Sequence, residues 1–173
     1  GCKTAGKMQN SGSTSIGLEC AADGSNNICI LGSSTGVVVI DSNVISGTFL
    51  LYFDSALVLK SIRQLHPQGN FNGSVLHYDL LLNESGSAYV LSKFIDYNLS
   101  SQAWSCKIEC IDQQGVLSYS LGLPFGRSGL YYDIALDSCS KIYFAGFERT
   151  FPKVGKPWFY HVYGKLNPDL SQD

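Results

Sequence analysis

Charge is scarce along this chain. Only 15% of its 173 residues are Asp, Glu, Lys or Arg, the formal net charge is -2, and the Lys and Arg residues form no cluster. A nucleic-acid surface needs a basic patch, so no nucleic-acid partner is expected. No apolar run approaches the ~20 residues that a membrane-spanning helix requires, so no membrane span is expected. Sustained helical periodicity is also missing, which leaves strands as the regular element. No phosphate-cradling Gly loop, His-Glu-x-x-His helix or Ser elbow occurs. The six cysteines contain no Cys-x-x-Cys spacing, so neither a structural metal nor a cofactor is expected.

What the chain does have is apolar and turn-forming residues. A hydrophobic share of 45%, 12% aromatics and 18 glycines describe a folded domain of short strands and many turns. One motif recurs three times at a spacing of roughly 55 residues, the signature of a repeat architecture. It reads Leu18-Glu19-Cys20-Ala21-Ala22-Asp23 before Ile28 to Gly32, then Tyr78-Asp79-Leu80-Leu81-Leu82-Asn83 before Ala88 to Ser92. The third copy is Tyr132-Asp133-Ile134-Ala135-Leu136-Asp137 before Ile142 to Gly146. A third apolar run follows in each copy and ends in Asp54, Asp112 or Asn167, and a fourth run is clearest from Val116 to Gly122. Such runs, closed by Gly, Asn, Asp or Ser, are strand signals. Large residues alternate along the first strand: Tyr132, Ile134 and Leu136 share one face, and Asp133, Ala135 and Asp137 the other.

The unit is therefore a four-stranded antiparallel blade, and the fold class is all-β and propeller-like, with about three blades. A β-sandwich also has short strands and Gly-rich turns, but the residue-level match of three copies favours the repeat array. The units run over 17–64, 74–122 and 130–173 of a single domain spanning 1–173, with 1–16 as the last strand of a preceding or closing blade. In the first unit the strands are expected near Leu18–Ala22, Ile28–Leu31, Thr48–Asp54 and Leu57–Ile62. Tyr89 and Tyr143 are expected to be buried equivalents.

The pattern Asp-x-x-x-Asp-turn-x-Tyr-x-x-Gly resembles the bacterial β-propeller repeats found in tandem in secreted and surface proteins. It is clearest in Ile142-Tyr143-Phe144-Ala145-Gly146 and Lys165-Leu166-Asn167-Pro168-Asp169-Leu170. Copies one and two are degenerate, with Cys29 in the Tyr place and Ser92 in the Gly place. The resemblance implies a scaffold and an extracytoplasmic, secreted or cell-surface location, but no particular chemistry.

A propeller closes with about four to eight blades, so three are expected to be a partial ring or a subunit of a larger one. Outer faces bearing Leu50, Tyr52, Ile142 or their alternates would otherwise stay bare. A protein partner or self-association follows, with Gly1 to Asn10 pairing at a blade edge. The Gly1-Cys2 start reads as a processed or trimmed chain, and Cys2 as a possible lipidation site. Cys106 and Cys110, four apart on one strand, sit too far from each other for a disulfide. Cys20 and Cys29 lie on neighbouring strands of one hairpin, and the polar turn from Asp23 to Asn27 need not place them directly opposite each other. The cysteines therefore read as small buried hydrophobes. The Asn72, Asn83 and Asn98 tripeptides match glycosylation acceptors, and at this Ser and Asn content they say little about location.

The candidate site comes from geometry. Glu19, Asp79 and Asp133 each stand near the start of a first strand, so a ring would gather them at one mouth of its channel. Loops at Ser33–Thr48, Ile95–Gln102 and Glu148–Pro157 are expected on the same face, where a rigid scaffold concentrates function. Clustered carboxylates suit a cation or a basic or hydroxyl-rich partner. Alternatively, each acid accepts backbone hydrogen bonds from the next blade. Trp104 and Trp158 open the third strands of copies two and three, and either pack there or line a ligand surface. His66, His77 and His161 stand alone. The expected function is a noncatalytic binding or assembly scaffold, with no catalytic residue assigned. The alternative is a propeller-type hydrolase or lyase using the channel-mouth carboxylates as acid and base.

Overall fold

The computed structural model describes residues 9–10, 15–66, 73–96, 103–123, 129–150 and 158–172. Within them the chain is all-β, without a helix, in three antiparallel sheets. The first sheet holds β1 (Gln9–Asn10), β2 (Ser15–Ala22), β3 (Ile28–Ile40), β4 (Asn43–Phe53) and β5 (Leu59–His66). The second is a meander of β6 (Gly73–Leu82), β7 (Ala88–Asp96), β8 (Ala103–Ile111) and β9 (Leu117–Leu123). The third holds β10 (Gly129–Leu136), β11 (Ile142–Thr150) and β12 (Trp158–Leu166). No fourth strand completes it among the described residues, although the Leu166–Gln172 bridge begins a return past β12. None of the three sheets closes on itself.

The chain divides into two compact units. One comprises Gly1–Phe71, Leu82–Ala88 and Ile111–Val116, and the other Asn72–Leu81, Tyr89–Cys110 and Leu117–Asp173. In the first, Val38, Ile40, Ile45, Phe49, Leu51 and Phe53 form an apolar cluster flanked by Ile28, Ile30, Leu59 and Ile62. In the second, Tyr89, Leu91, Cys106, Ile108 and Cys110 pack with Ile134, Ile142, Leu166 and Leu170. Two glycines serve the sheets by close approach. A Cβ at Gly164 would overlap the Phe144 ring, and one at Gly32 the Phe49 ring, so each aromatic lies flat on its cross-strand neighbour.

One tight turn organises all three sheets. It starts at Asp23, Asp54, Asn83, Asp112, Asp137 and Asn167. Each time the backbone N–H of the first residue donates to the carbonyl four positions on, and the fourth residue's N–H donates back to the first carbonyl. In five of them the Asx Oδ1 also accepts the N–H four residues on. The fourth residue has positive φ every time, at Asn26, Leu57, Gly86, Gly115, Ser140 and Leu170. This is the type I turn with a left-handed bulge residue that joins strands through a short Gly- or Asn-favouring loop. Left-handed backbone costs a β-carbon residue roughly 1–2 kcal/mol. Leu57, at φ 61 and only half-buried, bears that strain with little packing in return. Leu57→Gly should therefore raise stability by up to ~1 kcal/mol in urea unfolding. Leu170 has φ 64 but lies in the core at 4% exposure, so Leu170→Gly should lower stability instead.

Three expectations need correction. Residues Ser33 to Thr48 are not a loop: β3 and β4 continue through them as a hairpin arm turned by Asp41 and Ser42, at φ 43 and 68. The arm is sustained by β-branched residues in alternation, with Val38 paired to Ile45 and both buried. Second, Tyr143 is not a buried equivalent of Tyr89: it is 41% exposed, against 1% for Tyr89. Third, Leu50, Tyr52 and Ile142 are all buried, so the bare face of the third sheet is that of their alternates, including Tyr163 at 85% exposure. Of the N-terminal segment Gly1 to Asn10 only Gln9 and Asn10 are described, and they oppose Val39 and Val38 of the arm. The expected loops at Ile95–Gln102 and Glu148–Pro157 begin as strand, through Asp96 and Thr150, and otherwise lie outside the described residues. All five described cysteines are free, and Cys20 opposes Ile30, not Cys29. Burial pushes the Cys29 thiol up to about 12, which leaves it inert. Cys2 lies outside the described residues.

Candidate functional site

Two of the three candidate carboxylates, Glu19 and Asp133, owe their placement to strand irregularities. The β2–β3 register slips between Gly17 and Glu19, and the β10–β11 register slips between Tyr131 and Asp133. Leu18 and Tyr132 are the extra residues of these bulges. A bulge re-aims the side chain that follows it, and in both strands that residue is the acid. Nothing in the identity of Leu18 or Tyr132 announces this.

In the second unit Asp79 and Asp133 come together, the Asp133 carboxyl adjoining that of Asp79. Asp79 is half-buried and Asp133 exposed. Asp79 also accepts two backbone N–H groups: Leu80 donates to Oδ1 at 2.9 Å and Ile134 to Oδ2 at 2.9 Å. Its carboxyl is held above the usual range, first by burial and then by the adjoining Asp133, against the pull of the Ile134 and Leu80 amides. Glu19 is exposed and belongs to the first unit. Trp104 lies in β8 and Trp158 begins β12, and their side chains lie outside the described residues. His161 is exposed, while the side chains of His66 and His77 are also outside the described set. No group of three His, Cys, Asp or Glu residues could hold a metal among the described residues.

Sequence reasoning missed a cavity of about 360 Å³ in the first unit. Asn27, Tyr52, Asp54, Lys60, Ser61 and Gln113 line it. Lys60 Nζ lies 2.8 Å from Asp54 Oδ2, and with the Val58 N–H this holds the Asp54 carboxyl below its ordinary range. An acid kept ionised in this way serves as an acceptor, not a proton donor. Tyr52 donates its hydroxyl proton to the Ile111 carbonyl at 3.0 Å, and Ser61 donates to the Gln113 carbonyl at 2.7 Å. Gln113 Nε2 donates to the Ser85 carbonyl at 2.7 Å. The wall thus combines an ion pair, a phenol and amides, a set suited to hydroxyl-rich or peptide-like ligands rather than bond cleavage. Its signal was present in the sequence: Asp54 and Lys60 face each other across a turn, and Gln113-Gln114 sits at the corresponding turn of the second copy. No protein-family model matches the chain, and no curated protein matches it.

Proposed function

We propose that the three sheets are successive blades of a propeller-type array, and that the protein is a noncatalytic binding or assembly scaffold. One observation carries this reading: the Asp79 carboxylate accepts the backbone N–H of Ile134, 55 residues away and one repeat further on. The acid that begins one first strand grips the first strand of the next copy, as inner strands arranged side by side around a channel require. Both Asp79 oxygens are committed to backbone amides, so the group does architectural work. Partners then engage the loop ends, the polar cavity or the open sheet faces. The resemblance to bacterial surface propellers supports an extracytoplasmic setting.

A second reading, a hydrolase or lyase, has one observation in its favour. Two adjoining carboxyls, one raised by its surroundings, are the usual form of an acid–base pair. Asp79→Asn separates the two. As an architectural group, Asp79 binds its proton more tightly in the folded chain than in the unfolded one. Its contribution to stability is therefore most favourable at acid pH and declines as pH rises from 3.8 through its raised folded value. The variant cannot titrate there, and its amide NH2 leaves one backbone N–H unpaired at a cost of ~1–3 kcal/mol. Asp79→Asn should thus be the weaker protein in acid, with the gap to wild type narrowing as pH rises through that window. Urea unfolding across a pH series measures it. Turnover of aryl glycosides or esters with a bell-shaped pH profile, lost in Asp79→Asn and in Asp133→Asn, would overturn the scaffold reading.

A further inference from the structure

The repeated turn builds the cavity of the first unit. Asn27 closes the turn that starts at Asp23, and Asp54 starts the next one. Gln113 and Gln114 are the middle residues of the turn that starts at Asp112, and Lys60 and Ser61 of β5 complete the polar wall. All six belong to the same compact unit. Side chains at turns are usually free to move, but three of these are fixed. Asn27 Nδ2 donates to Asp23 Oδ2 at 2.8 Å, Gln113 Nε2 donates to the Ser85 carbonyl at 2.7 Å, and Lys60 Nζ lies 2.8 Å from Asp54 Oδ2. Each is held by one bond, and the rest of its hydrogen-bonding capacity is unused. Asn27 Oδ1, Gln113 Oε1 and the whole Gln114 side-chain amide have no partner among the described residues. An ammonium has three donors, and Lys60 directs one of them at Asp54.

The charge and pairing of this wall select the ligand. Asp54 and Lys60 cancel each other, so a charged ligand would have to break their pair to gain from either. The unused groups are donors and acceptors in similar measure. A hydroxyl donates and accepts at once, and so satisfies both kinds. Hydroxyls on neighbouring carbons of a sugar ring are spaced like a hydrogen-bonded pair, so one can meet Asp54 Oδ2 while the next meets Lys60 Nζ. A peptide strand has less to pair with. The carbonyls of Ile111, Gln113 and Ser85 already accept from Tyr52, Ser61 and Gln113. The volume of about 360 Å³ lies near the small end of ligand pockets, roughly 300–1,000 Å³. We propose that this cavity binds one neutral sugar residue of a glycan through the Asp54–Lys60 pair and the amides of Asn27, Gln113 and Gln114. The inference deepens the scaffold reading and rests on it, since the site holds its ligand without cleaving it. Asp54, kept ionised by Lys60, has no proton to give a leaving group.

Titration of the isotope-labelled full chain with the methyl glycosides of glucose, galactose, mannose and N-acetylglucosamine, followed by NMR, tests the proposal. At least one sugar should shift the side-chain amide resonances of Asn27, Gln113 and Gln114 together, saturating with a Kd of ~10 mM or tighter. Asp54→Asn should bind at least about tenfold more weakly, the effect of losing a charged acceptor. The turn survives that change, because Asn starts the same turn at Asn83 and Asn167. Gln114→Ala, at an exposed position, should weaken binding about threefold. Val44→Ser, 67% exposed at the opposite end of β4 from Asp54, should bind as the wild type does. Amides that stay unmoved by all four sugars at ~100 mM, a concentration that bounds the binding free energy, would overturn the proposal. So would Asp54→Asn binding as tightly as wild type. A capped alanine peptide or inorganic phosphate that moves these amides where the sugars do not would assign the cavity to another ligand, and overturns it equally. Each of these results leaves the scaffold reading intact, because the pH slope of Asp79 is read in the second unit without any sugar.

Discussion

Tyr89→Ala should destabilise the protein by ~3–5 kcal/mol in urea unfolding, the usual cost of truncating a large core side chain. Tyr143→Ala, at the same place in the next repeat, should cost less than ~1 kcal/mol, as surface changes do. By sequence the two tyrosines are interchangeable, each six residues past an Asx turn and each on the second strand of its copy. Their surroundings differ. Tyr89 is 1% exposed among Leu91, Ile108, Ile134 and Ile142, and its hydroxyl is satisfied by the Pro168 carbonyl. Tyr143 is 41% exposed beside the Lys165 ammonium, 5.6 Å from its ring, and donates to Asp137. The Tyr143 contacts are a surface cation–π pair and an exposed hydrogen bond, each worth a fraction of a kcal/mol to about 1 kcal/mol. Tyr89→Phe would isolate the buried hydroxyl, with an expected loss of ~1 kcal/mol. Equal losses at Tyr89 and Tyr143 in dilute solution would mean that something covers the third sheet even there.

That contrast marks where the sequence was legible. Local signals were readable: the strands of all three copies begin and end near the Asx residues that close them, and the alternation that put Ile134 inside and Asp133 outside holds. Cover supplied by a neighbouring sheet leaves no trace in a residue's own window, so Tyr143 and Tyr163 could not be told from Tyr89 and Ile108. The Ser33–Thr48 arm was missed for a different reason. Ser, Thr and Gly suggest a loop, although Asp41-Ser42 forms a two-residue hairpin turn closed by the Ile40–Asn43 pair. The true periodicity was also half seen. Asp54, Asp112 and Asn167 were recognised as ends of apolar runs, yet they begin the same turn as Asp23, Asn83 and Asp137. The repeat is therefore a hairpin of roughly 30 residues, used twice per sheet. As for the site, strand position predicted where Asp79 and Asp133 begin their strands. Their approach to each other and the Ile134 contact follow the bulge between Tyr131 and Asp133, which no residue type signals.

The shared turn gives the second large effect, at Gly86. Gly86 and Gly115 occupy the left-handed position of their turns with the same φ of 77. An Ala at either pays the same backbone strain, roughly 1–2 kcal/mol. Space separates them. A Cβ at Gly115 would meet Arg63 Cβ at 3.5 Å and the Ile62 carbonyl at 3.6 Å, which is ordinary contact. At Gly86 it would overlap the Gln113 side-chain amide and come within 3.0 Å of Asp23 Oδ2. Gln113 cannot yield without giving up its 2.7 Å bond to the Ser85 carbonyl. Asp23 is equally constrained, since its Oδ2 accepts the Asn27 side-chain amide at 2.8 Å and its Oδ1 the Ser25 and Asn27 N–H groups. Overpacking of this kind adds ~1–3 kcal/mol to the backbone term. Gly86→Ala should therefore cost about 2–5 kcal/mol, and Gly115→Ala about 1–2 kcal/mol, both read by urea unfolding. Gly86→Ala in a Gln113→Ala background should recover most of the steric excess, leaving a cost near that of Gly115→Ala. If the double variant is no more stable than Gly86→Ala, the crowding lies with Asp23, and the turn itself, rather than Gln113, sets the requirement for glycine.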